Sequence, residues 1–235
     1  MGKMFNNMNV IRTIDWQDLP SDAEYLAWKA VKIKTFIGVN AAAPITIESL
    51  ESASSDSIQE IKDKIALTNF AVYQTHRQST TVNECANSLR AFAGKFGLTS
   101  KETHRSEGHE GVVALATSSE KAKQGYIPYT PKALSWHTDG NYNDEDSKVL
   151  AFALHCYAPA QQGGENQLID PELAYIRLRD ANPDFVRAFF PPQAMTIPAN
   201  TNDKGAVRPA SVGPVFFVDG ASGRLQMRYT ARTRS

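Results

Sequence analysis

The sequence has 235 residues, and its 25 lysines and arginines balance its 25 aspartates and glutamates. This balance leaves no net field to draw the chain to nucleic acid or to an anionic membrane, and the length allows one large domain with its own core. Because no apolar run of about 18 residues, no signal peptide and no CxxC pairing of Cys85 with Cys156 is present, we expect a soluble, cytoplasmic, globular protein without disulfides.

The first 100 residues carry helix signals. Three capping boxes, in which a Ser or Thr is followed three residues later by Glu, begin at Ser21, Ser57 and Thr81. In a capping box the hydroxyl accepts a hydrogen bond from the N–H three residues on, and the glutamate accepts one from the start of the box. Apolar residues at helical spacing follow each box. A short apolar run at residues 70–73 predicts one buried strand between the second and third helices.

The pattern changes to strands after about residue 110. Short apolar runs predict strands at residues 112–115, 149–156, 166–169, 215–218 and 225–230, the last two forming a hairpin. Asp170-Pro171 and Asn182-Pro183 each place a capping residue before a proline, which predicts two helix starts. A helical layer at about 1–100 followed by a strand-rich half at about 110–235 predicts a single α+β domain over 1–235.

One short motif contains residue types that bind iron. His137 and Asp139 are separated by one residue in the stretch W-H-T-D-G. On an extended backbone, residues i and i+2 point to the same side, so the imidazole and the carboxylate can converge on one ion. Two histidines and one carboxylate on one face of an octahedron leave positions open, which suits Fe(II) with a co-substrate and O₂. The spacing alone leaves open a surface histidine hydrogen-bonded to a nearby aspartate.

The residues that follow extend this motif. W-H-T-D at 136–139 is followed by a predicted strand, then by G-G-E-N at 163–166, another strand and a helix at Pro171. This order resembles the TauD/TfdA family of Fe(II)- and 2-oxoglutarate-dependent dioxygenases, which use a W-H-x-D segment followed by G-G-[DE]-[TN]. The similarity covers roughly residues 60–235. It implies a double-stranded β-helix, a flattened barrel of antiparallel strands, with helices packed on one side and the metal in the barrel mouth.

The resemblance also implies roles for individual residues. His137 and Asp139 match the first two iron ligands. Asn166 falls where many members carry a threonine that hydrogen-bonds 2-oxoglutarate, and its amide can donate in the same way. Arg228 or Arg232 is a candidate for pairing with an anionic substrate or co-substrate, the alternative being a surface charge.

Three further residues are candidates for substrate contact by position alone. Tyr129 precedes the motif, and Asn141 and Tyr142 follow it directly. Packing in the core is the alternative for the aromatic side chains. The substrate itself is not identified by these residues.

The family pattern also requires a second histidine on a late strand and an arginine beyond it. No histidine follows His155, and the sequence ends at Ser235. We therefore expect the C-terminal strands and the third ligand to be missing from this chain, leaving barrel edges unpaired. His155 lies on a predicted strand in the wrong place for the third ligand, and we interpret it as a histidine hydrogen-bonded within the sheet.

These observations predict a function with two alternatives. The prediction is a dioxygenase that uses Fe(II), 2-oxoglutarate and O₂ to hydroxylate a small organic substrate, with release of succinate and CO₂. The first alternative is a catalytically inactive, truncated fragment or pseudoenzyme of the same family. The second is a zinc-dependent hydrolase that uses the same histidine and aspartate. Neither nucleic acid nor a membrane is an expected partner.

Overall fold

A computed structural model describes residues 16, 21–40, 43–99, 111–119, 127–143, 147–202, 205–220 and 222–231. The helices are α1 (Asp22–Asn40), α2 (Ser55–Thr68), α3 (Val82–Gly94), α4 (Pro171–Ala181) and α5 (Pro183–Arg187), with a 3₁₀ turn at Ile127–Tyr129. The strands are β1 (Ile45–Ile47), β2 (Tyr73–Thr75), β3 (Met195–Ile197), β4 (Asn200–Asn202), β5 (Gly205–Arg208), β6 (Ser211–Gly213), β7 (Phe216–Val218) and β8 (Leu225–Met227).

These elements fall into two compact units. The first unit comprises residues 1–42, 137–148 and 167–235, and the second comprises residues 43–136 and 149–166. Each unit has its own cluster of buried apolar side chains. Within the described residues, no helix has the length and apolar character needed to span a membrane.

The first unit is built around aromatic side chains. Its core consists of Trp16, Tyr25, Trp28, Tyr175, Ile176, Val186, Phe216 and Leu225. Trp16 meets the edges of Trp28 and Tyr175, with ring centroids 4.9 Å and 5.1 Å apart, an arrangement that aromatic quadrupoles favour. Because Trp28 lies on α1 and Tyr175 on α4, these contacts join the two helices of the core.

The second unit packs α2 and α3 on a small parallel sheet. β1 pairs with β2, with Ile45 opposite Tyr73. The core consists of Ile45, Ile47, Leu50, Ile58, Ile61, Cys85 and Phe92. The apolar spacing of α2 and α3 therefore buries one stripe of each helix.

The predicted helix starts are largely confirmed. The Ser21 box forms, since Glu24 N donates to Ser21 Oγ at 3.4 Å and Ser21 N donates to the Glu24 carboxylate at 3.2 Å. Thr81 caps α3 by accepting from Glu84 N at 3.1 Å, but the Glu84 carboxylate accepts from Thr80 N, one residue before the predicted start. The box predicted at Ser57 is wrong. Ser54 caps α2 instead and accepts from Ser57 N at 3.1 Å, because a serine three residues earlier offers the same oxygen to the free N–H groups of the first turn.

Three of the predicted strands are wrong in the described chain. Residues 112–115 form no strand, only a single bridge position at Val112. Residues 149–156 and 166–169 adopt no regular structure, and their apolar side chains are exposed, for example Phe152 at 57% and Leu168 at 57%. An apolar run forms a strand only where a neighbouring strand takes up its N–H and C=O groups. No ladder partner pairs with either run among the residues that are described.

The hairpin and the α+β class are confirmed. β7 pairs antiparallel with β8, with Phe217 opposite Gln226. In the part of the chain that the structure describes, helices are combined with four two-stranded sheets, three of them antiparallel. The described residues do not form a double-stranded β-helix, so that part of the fold remains a prediction.

Candidate metal centre

The segment that contains His137 and Asp139 is held in an extended conformation by the end of the β8 hairpin arm. His137 forms an antiparallel bridge with Thr230. Thr138 N donates to Tyr229 O at 2.9 Å, and Tyr229 N donates to Thr138 Oγ1 at 3.0 Å. The backbone and the hydroxyl of Thr138 are thus both used to fix the segment. Its two neighbours, His137 and Asp139, lie on the opposite side of the pleat from Thr138.

A turn ends this extended stretch directly after Asp139. Gly140 has a φ of 60°, in the left-handed region that costs a residue with a side chain roughly 1–2 kcal/mol. Asn141 Nδ2 donates to Thr138 O at 2.7 Å, and Asn143 N donates to Gly140 O at 2.8 Å. The glycine in W-H-T-D-G therefore has a backbone role, and the Asn141 side chain closes the turn.

The two candidate ligands approach each other. His137 Nε2 lies 3.5 Å from Asp139 Oδ1, and the side chains are 34% and 50% exposed. Neighbouring ligand atoms of an octahedral ion with bonds near 2.1 Å are about 3 Å apart, so a small rotation of either side chain fits both atoms to one ion. The nitrogen and oxygen donors are a set that suits Fe(II). The described residues provide no group of three His, Cys, Asp or Glu side chains that could hold a metal.

Arg228 lies next to this segment and is almost fully buried, at 7% exposed. Its Nε donates to Asn141 O at 2.6 Å. Its two terminal nitrogens donate to Met195 O, to Gly213 O, and to both the carbonyl and the hydroxyl of Ser211. Burial, with a contribution from Arg208, lowers the pKa of the Arg228 guanidinium. These partners are all protein oxygens, which favours a structural role over the predicted contact with an anion.

Tyr142 also lies in the first unit with the candidate ligands. Its ring is 37% exposed, and the Arg208 guanidinium lies over it, 5.2 Å from the centroid. Arg208 in turn donates to Pro198 O and Pro209 O. The aromatic side chain that follows the metal segment is therefore partly accessible and lies beside one cationic side chain. Substrate contact by Tyr142 and by Asn141 remains a prediction.

Tyr129 and Asn166 belong to the second unit. Tyr129 is 5% exposed, and its carbonyl accepts from Ser118 N at 3.0 Å, as a core residue would. Asn166 is exposed, and its Nδ2 donates to Gly164 O at 3.2 Å. Its role toward 2-oxoglutarate, like the substrate role of Tyr129, remains a prediction. Arg232 lies outside the described residues.

His155, also in the second unit, makes a specific contact that the sequence does not show. Its Nδ1 lies 3.2 Å from Tyr73 Oη, and the two rings stack with an interplanar angle of 9°. Burial lowers the pKa of His155 and raises that of Tyr73 to about 12. Both groups are therefore neutral near pH 7, and the pair serves packing in this unit, as a hydrogen-bonded histidine would.

Residues 40–235 match the model of the taurine catabolism dioxygenase TauD, TfdA family. The match spans most of the chain. The chain belongs to the TauD/TfdA family. No curated protein and no solved structure matches it significantly.

Several residues around the TauD/TfdA motif were not indicated by the sequence. Thr138, Met195, Ser211 and Gly213 hold the segment or its neighbour Arg228 through backbone and hydroxyl oxygens. A backbone carbonyl carries no residue signature, so most of these contacts leave no trace in the sequence. The only available signal is Arg228 itself, a charged residue within the apolar stretch L-Q-M-R-Y, which predicts a buried and fully hydrogen-bonded group.

Proposed function

We propose that this TauD/TfdA protein is an Fe(II)- and 2-oxoglutarate-dependent dioxygenase that hydroxylates a small organic substrate. In this reaction one oxygen atom of O₂ enters a C–H bond of the substrate, and the other enters succinate as 2-oxoglutarate loses CO₂. The observation that carries the proposal is the 3.5 Å approach of His137 Nε2 to Asp139 Oδ1 within a segment that matches the family motif.

The bound iron would supply the site at which 2-oxoglutarate and O₂ are brought together and activated. The protein residues have simpler tasks. His137 and Asp139 would hold the ion through one nitrogen and one oxygen. Thr138 fixes both side chains on one side of the segment through its two hydrogen bonds with Tyr229, and Asn166 would donate its amide to 2-oxoglutarate.

The access needed by a small substrate is present at the segment. Asp139 is half exposed, and the Tyr142 ring is exposed beside it in sequence. Arg208 over this ring gives the surface a positive charge, which favours a substrate that carries a carboxylate, sulfonate or similar anion. The role of Tyr142 and Asn141 in this contact is part of the proposal.

Turnover of 2-oxoglutarate tests the proposal without knowledge of the substrate. The chain is incubated with Fe(II), 2-oxoglutarate and O₂, and succinate is measured over time. We expect slow succinate formation that is lost in His137→Ala and in Asp139→Ala. Arg179→Met, a change at a buried arginine of the same unit, is the control for general loss of folding. Succinate formation that is equal in all four proteins would contradict the proposal.

A second candidate is a catalytically inactive member of the family, which does not turn over 2-oxoglutarate. It is favoured by the finding that the described residues hold two metal ligands and no third. In that case metal binding through His137 and Asp139 should be weak, and succinate should not form. The same assay combined with metal analysis distinguishes the two candidates.

A further inference from the structure

We infer that Arg228 is a positioning residue that fixes the backbone of residues 137–141, and that it does not bind substrate. This inference rests on the proposed function for its catalytic meaning, but the structural claim is independent of any bound metal. It replaces the anion-binding role that the sequence alone offers for this arginine.

A guanidinium has five N–H donors. Five acceptor atoms of the protein surround that of Arg228: Asn141 O, Met195 O, Gly213 O, Ser211 O and Ser211 Oγ. The donor–acceptor distances run from 2.6 Å at Asn141 O to 3.5 Å at Gly213 O. An anionic ligand would therefore have to displace hydrogen bonds in a buried place, which is costly. The guanidinium is already saturated by the fold.

The acceptors lie on two different parts of the first unit. Met195, Ser211 and Gly213 belong to the β3–β6 pair, in which Met195 is opposite Gly213. Asn141 O, the fifth acceptor, follows Asp139 by two residues and receives the shortest of the five bonds. Arg228 thus connects a sheet to the turn that ends the candidate metal segment. Arg228 therefore adds an anchor in the sheet to the contacts that the segment makes with Tyr229 and Thr230 and within the turn.

Gly213 offers an independent way to move the guanidinium. A Cβ at this position would lie 3.5 Å from the nearest terminal nitrogen of Arg228 and 3.7 Å from its Cζ. That is ordinary van der Waals contact, so alanine fits beside the arginine. Valine adds two methyl groups beyond a Cβ that is already in van der Waals contact with Arg228, and we expect these groups to push the guanidinium away from Asn141 O.

The first experiment measures hydrogen exchange of the Thr138 and Asn143 amides, which are bonded to Tyr229 O and Gly140 O. In Arg228→Met we expect both to exchange about tenfold faster than in the wild type, the factor that corresponds to loss of one net hydrogen bond. Arg179→Met is the matched control, because Arg179 is equally buried at 6% in the same unit but contacts Tyr175 and Asp22. In Arg179→Met the exchange rates of these two amides should change no more than the variant's overall loss of stability requires.

The second variant pair keeps the test decisive if Arg228→Met fails to fold. Gly213→Val should accelerate exchange of the same two amides, and Gly213→Ala should not. Equal exchange in the two Gly213 variants, or in Arg228→Met and the wild type, would overturn the inference.

A Co(II) titration of the folded variants then tests whether the position of residues 137–141 affects metal binding. We expect the affinity of Arg228→Met to fall by about tenfold or more, as for other residues that orient a ligand, and that of Arg228→Lys to fall less. If the wild type binds no Co(II), the proposed function fails, while the exchange data still decide the role of Arg228. If Co(II) binds equally to wild type and Arg228→Met, the claim that Arg228 positions the metal ligands is overturned.

Discussion

Replacing Lys32 by methionine should cost the protein a large part of its stability. The Lys32 side chain on α1 is 1% exposed, and its Nζ lies 2.6 Å from Asp170 Oδ2 and also contacts the Glu172 carboxylate. The two carboxylates are 0% and 2% exposed. Methionine matches the length of the lysine stem but removes the positive charge that contacts both buried acids. Breaking a buried ion pair in this way costs about 3–5 kcal/mol, against a typical total of about 5–15 kcal/mol.

The loss should depend on pH. Burial raises the pKa of Glu172, and the Lys32 charge opposes this rise. The variant removes that charge, so the pKa of Glu172 in the folded protein should be higher still. A carboxyl whose pKa is higher in the folded than in the unfolded chain stabilises the fold when protonated. Its contribution is fully present below the unfolded pKa near 4.3 and is lost as the pH rises through the folded pKa. The deficit of Lys32→Met should therefore be largest near pH 8 and shrink toward pH 5.

Urea unfolding followed by circular dichroism at pH 8, 7, 6 and 5 measures both effects. Lys29→Met is the matched control, since Lys29 lies on the same helix and pairs with Asp180 at 2.6 Å with both side chains partly exposed. That pair should contribute no more than about 1 kcal/mol. A loss in Lys32→Met no larger than in Lys29→Met, or one that is the same at every pH, would refute the reasoning.

Three further predictions follow from single residues. Gly140→Ala should lose about 1–2 kcal/mol in urea unfolding because of its φ of 60°, whereas Gly38→Ala in α1 should be neutral or stabilising. Burial lowers the pKa of His155, so its stabilising contribution is present above the ordinary pKa of about 6.5 and is lost as the pH falls through the lower folded value. The unfolding midpoint of His155→Gln should therefore fall less with acid than that of the wild type. Equal acid sensitivity of the two proteins would count against the buried pair with Tyr73. Thr81→Ala removes the cap of α3 and should cost about 1 kcal/mol in thermal unfolding, with Thr81→Ser close to wild type; a neutral alanine variant would contradict the capping role.

The sequence predicted best where a local rule sets the structure. Asp170 caps α4 ahead of Pro171, as the dipeptide indicates, because its side chain accepts from Glu172 N at 2.9 Å. The same holds for Asn182 before Pro183 and for the hairpin of β7 and β8. In each case the residues that determine the structure are within a few positions of one another.

Structure that depends on distant partners was not predictable in this way. Residues 149–156 have the composition of a buried strand, but most of their side chains are exposed and no described strand pairs with them. The β3–β6 pair, with Ser211 opposite Ile197, was missed because its short strands contain no long apolar run. At the candidate site, the spacing of His137 and Asp139 indicated their approach, while the role of Arg228 depends on carbonyl groups far away in sequence.

An anaerobic titration with Fe(II) and 2-oxoglutarate tests most directly whether His137 and Asp139 form a metal centre. We expect a weak visible charge-transfer band when both are added to the wild-type chain, and its loss in His137→Ala and in Asp139→Ala. Arg179→Met should keep the band. A wild-type chain that gives no band, or a band that survives both ligand substitutions, would show that His137 and Asp139 do not form the metal centre.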